Sequence, residues 1–170
     1  MDGREEEYQW AGPYLYSRQV VAVRSDSDIR TLQDLAGKVV VVQSTTKPEE
    51  LFLNAEQNGL PRLRRLYSLQ NRDLLYTTLL KGYADALAAH ESAIRQFMKD
   101  YSVEYRILDE PLMTARLGVA FAKDRSDDLP QQLTEVFQEM LADGTVRQIV
   151  SRYLDDPGHY LDGLEDSTHA

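Results

Sequence analysis

The chain has 170 residues, of which 42% are hydrophobic and 28% charged, and 28 acidic against 19 basic side chains give it a net charge of −9. That length buries a proper core as one large domain or two small lobes, while so acidic a surface repels polyanions and argues against nucleic acid and anionic membranes as partners. Cysteine is absent, which excludes disulfides, thiolate metal sites and cysteine nucleophiles.

The three histidines, His90, His159 and His169, are scattered, so no multi-histidine metal centre is expected. No run of apolar residues is long enough to span a membrane. The start, Met1 to Glu7, is acidic and polar and does not read as a leader peptide. Either the protein stays inside the cell or its leader has been removed. The basic cluster Arg62, Arg64 and Arg65 reads as a solvated strand edge.

Strands and helices alternate along the chain, which predicts an α/β fold with a mainly parallel sheet. The first strand is expected over Arg18 to Arg24, around Val20-Val21-Ala22-Val23. After the turn residues Ser25 to Asp28, a short helix over Thr31 to Ala36 is stopped by Gly37. Val39 to Val42 is an unbroken β-branched run, the mark of a strand buried on both faces. A helix follows from Lys47 to about Asn58, with Thr46 and Glu49 as a capping box and Gly59 as its stop. Leu63 to Tyr67 reads as a strand. Asn71 caps a helix that ends at Gly82. A buried strand is expected over Ala84 to Ala89, a helix over Glu91 to Lys99, and strands over Val103 to Leu108 and Leu117 to Ala122.

Two helices close the fold. Leu133, Val136, Phe137, Met140 and Leu141 recur with helical spacing, and so do Val146, Ile149, Val150, Tyr153 and Leu154. From Asp155 the chain is acidic and loses its periodicity, so a loose tail over 155–170 is expected. The acidic residues Asp155, Asp156, Asp162, Glu165 and Asp166 lack the alternation of a calcium loop.

The order of five stretches resembles the family-3 bacterial extracellular solute-binding proteins, a two-lobed periplasmic-binding-protein-like fold. These are Arg4 with Trp10, Pro13 and Tyr14; Asp34-Leu35 with Gly37-Lys38-Val39 and Val41; Gln43-Ser44-Thr45-Thr46; Leu80-Lys81-Gly82 with Asp85-Ala86; and Gly118-Val119-Ala120 with Lys123 and Asp143-Gly144-Thr145. The resemblance covers about Arg4 to Leu154. It implies a partial lobe 1 over 1–24 and 109–154, carrying the crossover strands, and a complete lobe 2 over 25–108. The strands and helices that precede Arg4 in the family are missing. Dimerisation or strand exchange of the truncated chain is therefore expected, because unpaired edges and open apolar faces recruit other chains.

The function implied is extracytoplasmic binding of a small, carboxylate-bearing, amino-acid-like solute, for ABC-type uptake through a membrane permease or for sensing, in the periplasm or its equivalent. No cofactor or metal is expected. Arg4 matches the family's lobe-1 arginine, whose forked guanidinium suits a ligand carboxylate; otherwise it is a solvated arginine in a frayed terminus. Ser44, Thr45 and Thr46 form a strand-to-helix turn whose N–H groups and hydroxyls suit an anion, and Thr46 would serve equally as a plain N-cap. His90 stands where the family often has a carboxylate for the ligand ammonium. A neutral imidazole accepts from an ammonium and an imidazolium repels it, so a ligand without a free α-ammonium is favoured. The competing reading of His90 is a solvent-facing residue at a helix start. Asp85 reads as structural, and Trp10, Tyr14 and Tyr16 as cleft wall or core. An enzyme of the periplasmic dehydratase kind on the same scaffold is the alternative, with His90 or Glu91 as acid or base. A further alternative is the ligand-binding sensor module of a larger signalling receptor.

Overall fold

The computed structural model describes residue 1 and residues 4–164. These divide by their contacts into two compact units, one made of Met1–Ser17 with the stretch from Thr114 on, the other of Arg18–Met113. They are called here unit 1 and unit 2.

Unit 2 is a sheet covered by helices on one face and by 3-10 turns and a short helix on the other. Its strands are β2 (Val39–Gln43), β3 (Arg65–Leu69), β4 (Ala86–His90), β5 (Tyr105–Ile107) and the second half of β1 (Gln9–Arg24), in the order β3-β2-β4-β1-β5. β2 runs parallel to β3 and to β4, and β1 runs antiparallel to β4 and β5. Four strands therefore point one way, as the alternation predicts, and β1 is inserted against them. The helices α1 (Lys47–Leu53), α2 (Arg72–Leu80) and α3 (Glu91–Tyr101) return the chain between parallel strands.

The pleat sorts the core. Val39 and Val41 of β2, Val20 and Ala22 of β1 and Leu87 of β4 enter one cluster with Leu75, Tyr76 and Leu79 of α2 and Ile94 of α3. Val40, Val42, Val21, Val23, Ala86 and Ala88 enter a second cluster with Leu32, Leu35 and Phe52. Alternate residues of one strand serve opposite faces, so an all-apolar run is what this sheet requires of its central strands.

The local expectations are met unevenly. Asn71 caps α2 as expected, its side chain accepting from the Asp73 N–H at 2.9 Å. The capping box at α1 does not form: the Thr46 hydroxyl donates to the Gln43 carbonyl at 2.6 Å, and Glu49 accepts instead from the Thr45 N–H at 2.6 Å. The helix expected to Asn58 ends at Leu53 and continues as a 3-10 turn over Ala55–Asn58. Gly59 stops that turn with φ 66°, a conformation that costs glycine nothing. β3 starts at Arg65 instead of Leu63, and β1 extends back to Gln9.

In unit 1 the first half of β1 pairs with β6 (Met113–Phe121). The two strands pass so closely at Gly118 that a Cβ there would stand 2.6 Å from the Ala11 carbonyl oxygen. Helices α4 (Leu129–Ala142), α5 (Thr145–Val150) and α6 (Gly158–Leu161) complete the unit. Tyr14 packs on Phe137 at 5.2 Å and Tyr8 on Trp10 at 5.8 Å, so these rings serve internal packing. The stretch after Asp155 is corrected from loose tail to packed segment over its described part: Leu161 and Leu164 join Leu141 and Val146 in the core of unit 1, and Tyr160 is buried as well. Three apolar residues close together form a usable face even without a long periodic run. Glu165, Asp166 and His169 lie outside the described residues.

Candidate functional site

The parallel strands of unit 2 end on one side of the sheet, and their helices begin there. At that edge lies a cavity of about 380 Å³, walled by the ends of β2 and β4, the start of β1's unit-2 half, and the first turns of α1, α2 and α3. Open α/β sheets place ligands at the carboxyl ends of their strands, and the volume is that of a small-molecule site. Apolar lining comes from Pro48, Leu75, Ala88, Ala89 and Ala93.

Four polar residues give the cavity its chemistry. Gln19 and His90 are direct cross-strand neighbours of β1 and β4, and the Gln19 Nε2 lies 2.9 Å from each ring nitrogen of His90. Gln19 is 8% exposed, and its Oε1 is buried with no hydrogen-bond partner. Tyr76 is 2% exposed, and its hydroxyl is likewise buried without a partner. Its ring is held by stacking on Phe97 at 4.1 Å. Arg72, at the first helical position of α2, lines the same cavity and forms no ion pair among the described residues. Burial, reinforced by the Arg72 guanidinium, pushes the His90 imidazole below its ordinary value of 6.5. Burial pushes the Tyr76 phenol up, so it remains a donor at neutral pH. The lining contains no Asp or Glu.

The residues expected from sequence are only partly gathered here. Thr46 and His90 line the cavity, whereas Ser44 and Thr45 flank it without lining it. The Thr45 hydroxyl donates to the Ser44 carbonyl at 2.6 Å, and Thr45 has φ 60°. A β-branched residue in that region is a strained outlier. Arg4 belongs to unit 1, where its carbonyl accepts from the Trp10 indole at 3.1 Å. Glu91, one side of the enzyme alternative, is 1% exposed and held in an ion pair with Arg18 at 3.0 Å and Arg95 at 2.6 Å. Asp85 is structural, its carboxylate accepting from the Val39 N–H at 2.8 Å.

Gln19, Arg72 and Tyr76 carry no motif. The signal for Arg72 is a broken rule: a cation opens α2, where the helix dipole favours an anion. Gln19 and Tyr76 look like ordinary neighbours of apolar runs, and only the fold turns them toward one cavity.

A family model described as bacterial extracellular solute-binding proteins, family 3, matches residues 1–156. The chain belongs to that family. It is similar to the histidine-binding periplasmic protein of Escherichia coli, 35% identical over 147 residues that cover 82% of this chain and 54% of that protein. The glutamate-binding protein GluB of Corynebacterium glutamicum is 25% identical over 160 residues, 89% of this chain and 52% of GluB. The family-3 chain thus spans about half the length of these relatives. Among solved structures, the probable amino-acid ABC transporter extracellular-binding protein ytmK from Bacillus subtilis matches with a TM-score of 0.76 at 24% identity, over 92% of this chain and 68% of that one. The α/β fold of the two-lobed binding proteins is therefore shown, with about two thirds of such a structure covered.

Proposed function

We propose that this chain binds a small, carboxylate-bearing, amino-acid-like solute outside the cytoplasm and hands it to an ABC-type permease. The observation that carries this reading is the cavity of unit 2, which brings to one edge of the sheet a guanidinium with no ion pair among the described residues and two buried side-chain oxygens, Gln19 Oε1 and the Tyr76 hydroxyl, without hydrogen-bond partners. Family membership supports the same reading, and the chain's relatives are named for amino acids and their transport. Thr46 and His90 are proposed as ligand contacts within unit 2, with Ser44 and Thr45 shaping the turn beside them. Arg4 is proposed as a carboxylate contact from its match to the family's arginine. A role in sensing uses the same binding step.

Binding is favoured over catalysis because Glu91 is locked by two arginines and His90 is held neutral, leaving no matched acid and base at the cavity. Exposed Leu129, Val136 and Ile149 on α4 and α5 support self-association of unit 1, for which light scattering should give a dimer mass. The binding reading is tested by calorimetric titration of the full chain with amino acids and carboxylates. Micromolar binding of one of them, without turnover, is expected; heat from none of them would overturn the proposal.

A further inference from the structure

We propose that Arg72 and the Tyr76 hydroxyl together receive a second anionic group of the ligand, so that the solute taken by this chain is an acidic amino acid or a dicarboxylate. The inference rests on the binding proposal above and narrows it to a charge class.

Three independent observations converge. First, the cavity lining holds Arg72 and Lys47 but no carboxylate, so nothing within it offsets a cation. Lys47 is already engaged by Glu50 at 2.7 Å, which leaves Arg72 as the available charge. Arg72 is exposed at the rim, so it repels a basic ligand side chain and gains little from a neutral one, whereas a carboxylate accepts its paired donors. Secondly, Tyr76 is almost fully buried, yet its hydroxyl has no partner. A buried donor without an acceptor is costly, and a ligand oxygen beside Arg72 supplies the acceptor. Thirdly, Arg72 opens a nine-residue helix at the end where a cation is disfavoured. A bound anion there is stabilised by side chain and helix dipole at once. The only acid on the first turn of α2, Asp73, is not among the residues that line the cavity.

The remaining polar atoms fit the rest of such a ligand. The unpartnered Gln19 Oε1 is an acceptor for an ammonium, and His90, whose one acceptor nitrogen is taken by the Gln19 amide, adds no positive charge beside it. An acidic amino acid thus finds a match for each of its charges.

L-Glutamate and L-glutamine differ in charge but scarcely in shape, which makes them the decisive probes. Calorimetric titration of the full chain with glutamate, glutarate, glutamine, histidine and arginine should place glutamate or glutarate at least ~10-fold tighter than glutamine. Arg72→Gln should weaken that anion ~10- to 100-fold and change glutamine by less than ~3-fold, the range of a charge-assisted hydrogen bond. Tyr76→Phe keeps the ring; it should weaken the anion ~2- to 10-fold while leaving the unfolding midpoint unchanged or raised, which separates lost contact from lost fold. Preferred binding of glutamine, histidine or arginine would overturn the charge assignment and leave the binding proposal standing. Equal weakening of glutamate and glutamine by Arg72→Gln would do the same. Silence from the whole panel would overturn both.

Discussion

Gln19 and His90 stand directly opposite each other on antiparallel strands, and the Gln19 amide nitrogen is 2.9 Å from both nitrogens of the imidazole. An amide N–H can donate only to a ring nitrogen that carries no proton. The pairing therefore favours neutral His90, in the same direction as burial and Arg72. Because the native pKa lies below that of the unfolded chain, the associated stability is present above pH 6.5. It is lost as the pH falls from there through the depressed native value, since the unfolded state takes up the proton first. NMR titration should find His90 ionising below the ordinary histidine range, and Gln19→Glu should raise it by supplying a carboxylate. Titration of wild-type His90 at or above 6.5 would contradict the pairing.

Anion binding should act on the same group with the opposite sign. A carboxylate drawn to Arg72 lowers the cost of a positive charge on His90, so binding is linked to proton uptake below neutrality. An anionic ligand should then bind more tightly at pH 5.5 than at pH 7.5, and His90→Gln should flatten the difference. Calorimetry in two buffers of different ionisation enthalpy would detect the proton. An anion affinity that falls on acidification would rule this linkage out.

Glu91 makes a stability prediction. It is buried, with Arg95 2.6 Å away and Arg18 3.0 Å away, the latter too poorly directed to count as a hydrogen bond. Arg18 is 12% exposed and Arg95 32%. Removing one of the two arginines leaves the buried carboxylate with a single cation, at a cost of about 2 kcal/mol, below that of a buried pair broken outright. Arg18→Met should approach that figure in urea denaturation, whereas Arg95→Met, nearer to water, should cost about 1 kcal/mol. Equal effects would mean that Glu91 is hydrated in solution.

Much of unit 2 is legible in its sequence because the signals there are one-dimensional. Val39 to Val42 announces a strand covered on both faces, and Asn71 announces a helix start, since each needs only its neighbours. The capping box at Thr46 and Glu49 fails for a three-dimensional reason. Thr45 turns to positive φ and presents its own N–H to Glu49, and spacing cannot distinguish the two acceptors. The cavity is less legible still. Thr46 lies in a stretch that carries the family resemblance and His90 stands out as a departure from it, but Gln19 on β1 and the α2 pair Arg72 and Tyr76 become neighbours only through the register Gln19↔His90 and the packing of α2. Leu161 and Leu164 were hidden by the acidic residues around them.

Gly118 tests unit 1 alone. A Cβ at this position would meet a backbone oxygen at 2.6 Å, and backbone in a paired strand cannot yield as a flexible side chain does. Gly118→Ala should destabilise unit 1 by about 1–3 kcal/mol. Amide hydrogen exchange should show faster opening in β6 and α4, with the amides of β2 and β4 unchanged. Uniform loss of protection throughout the chain would show that the two units unfold as one.

Thr45 offers the opposite case, a residue that holds strain beside the proposed site. Its φ of 60° belongs to the left-handed region, which costs an L-residue about 1–2 kcal/mol, and a β-branched side chain tolerates it poorly. Glycine removes that strain but makes the unfolded chain more flexible, returning about 0.5–1 kcal/mol. The hydroxyl's bond to the Ser44 carbonyl is exposed, so losing it matters little. The contact that fixes the turn, from the Thr45 N–H to the Glu49 carboxylate, uses only the backbone of residue 45 and survives any substitution there except proline. Thr45→Gly should therefore leave unit 2 as stable as before or up to about 1 kcal/mol more stable in urea denaturation. Thr45→Asn should gain as much, since asparagine accepts this conformation without glycine's flexibility. Glu49, held below the usual carboxylate range by hydrogen bonds from Ser68 and from the Thr45 N–H, should keep its low pKa in both variants. If both instead lose more than about 1 kcal/mol, the threonine side chain is stabilising the turn and the strain reading is wrong. If both gain stability but bind the ligand more weakly, the strained residue is retained for the shape it gives the cavity rim.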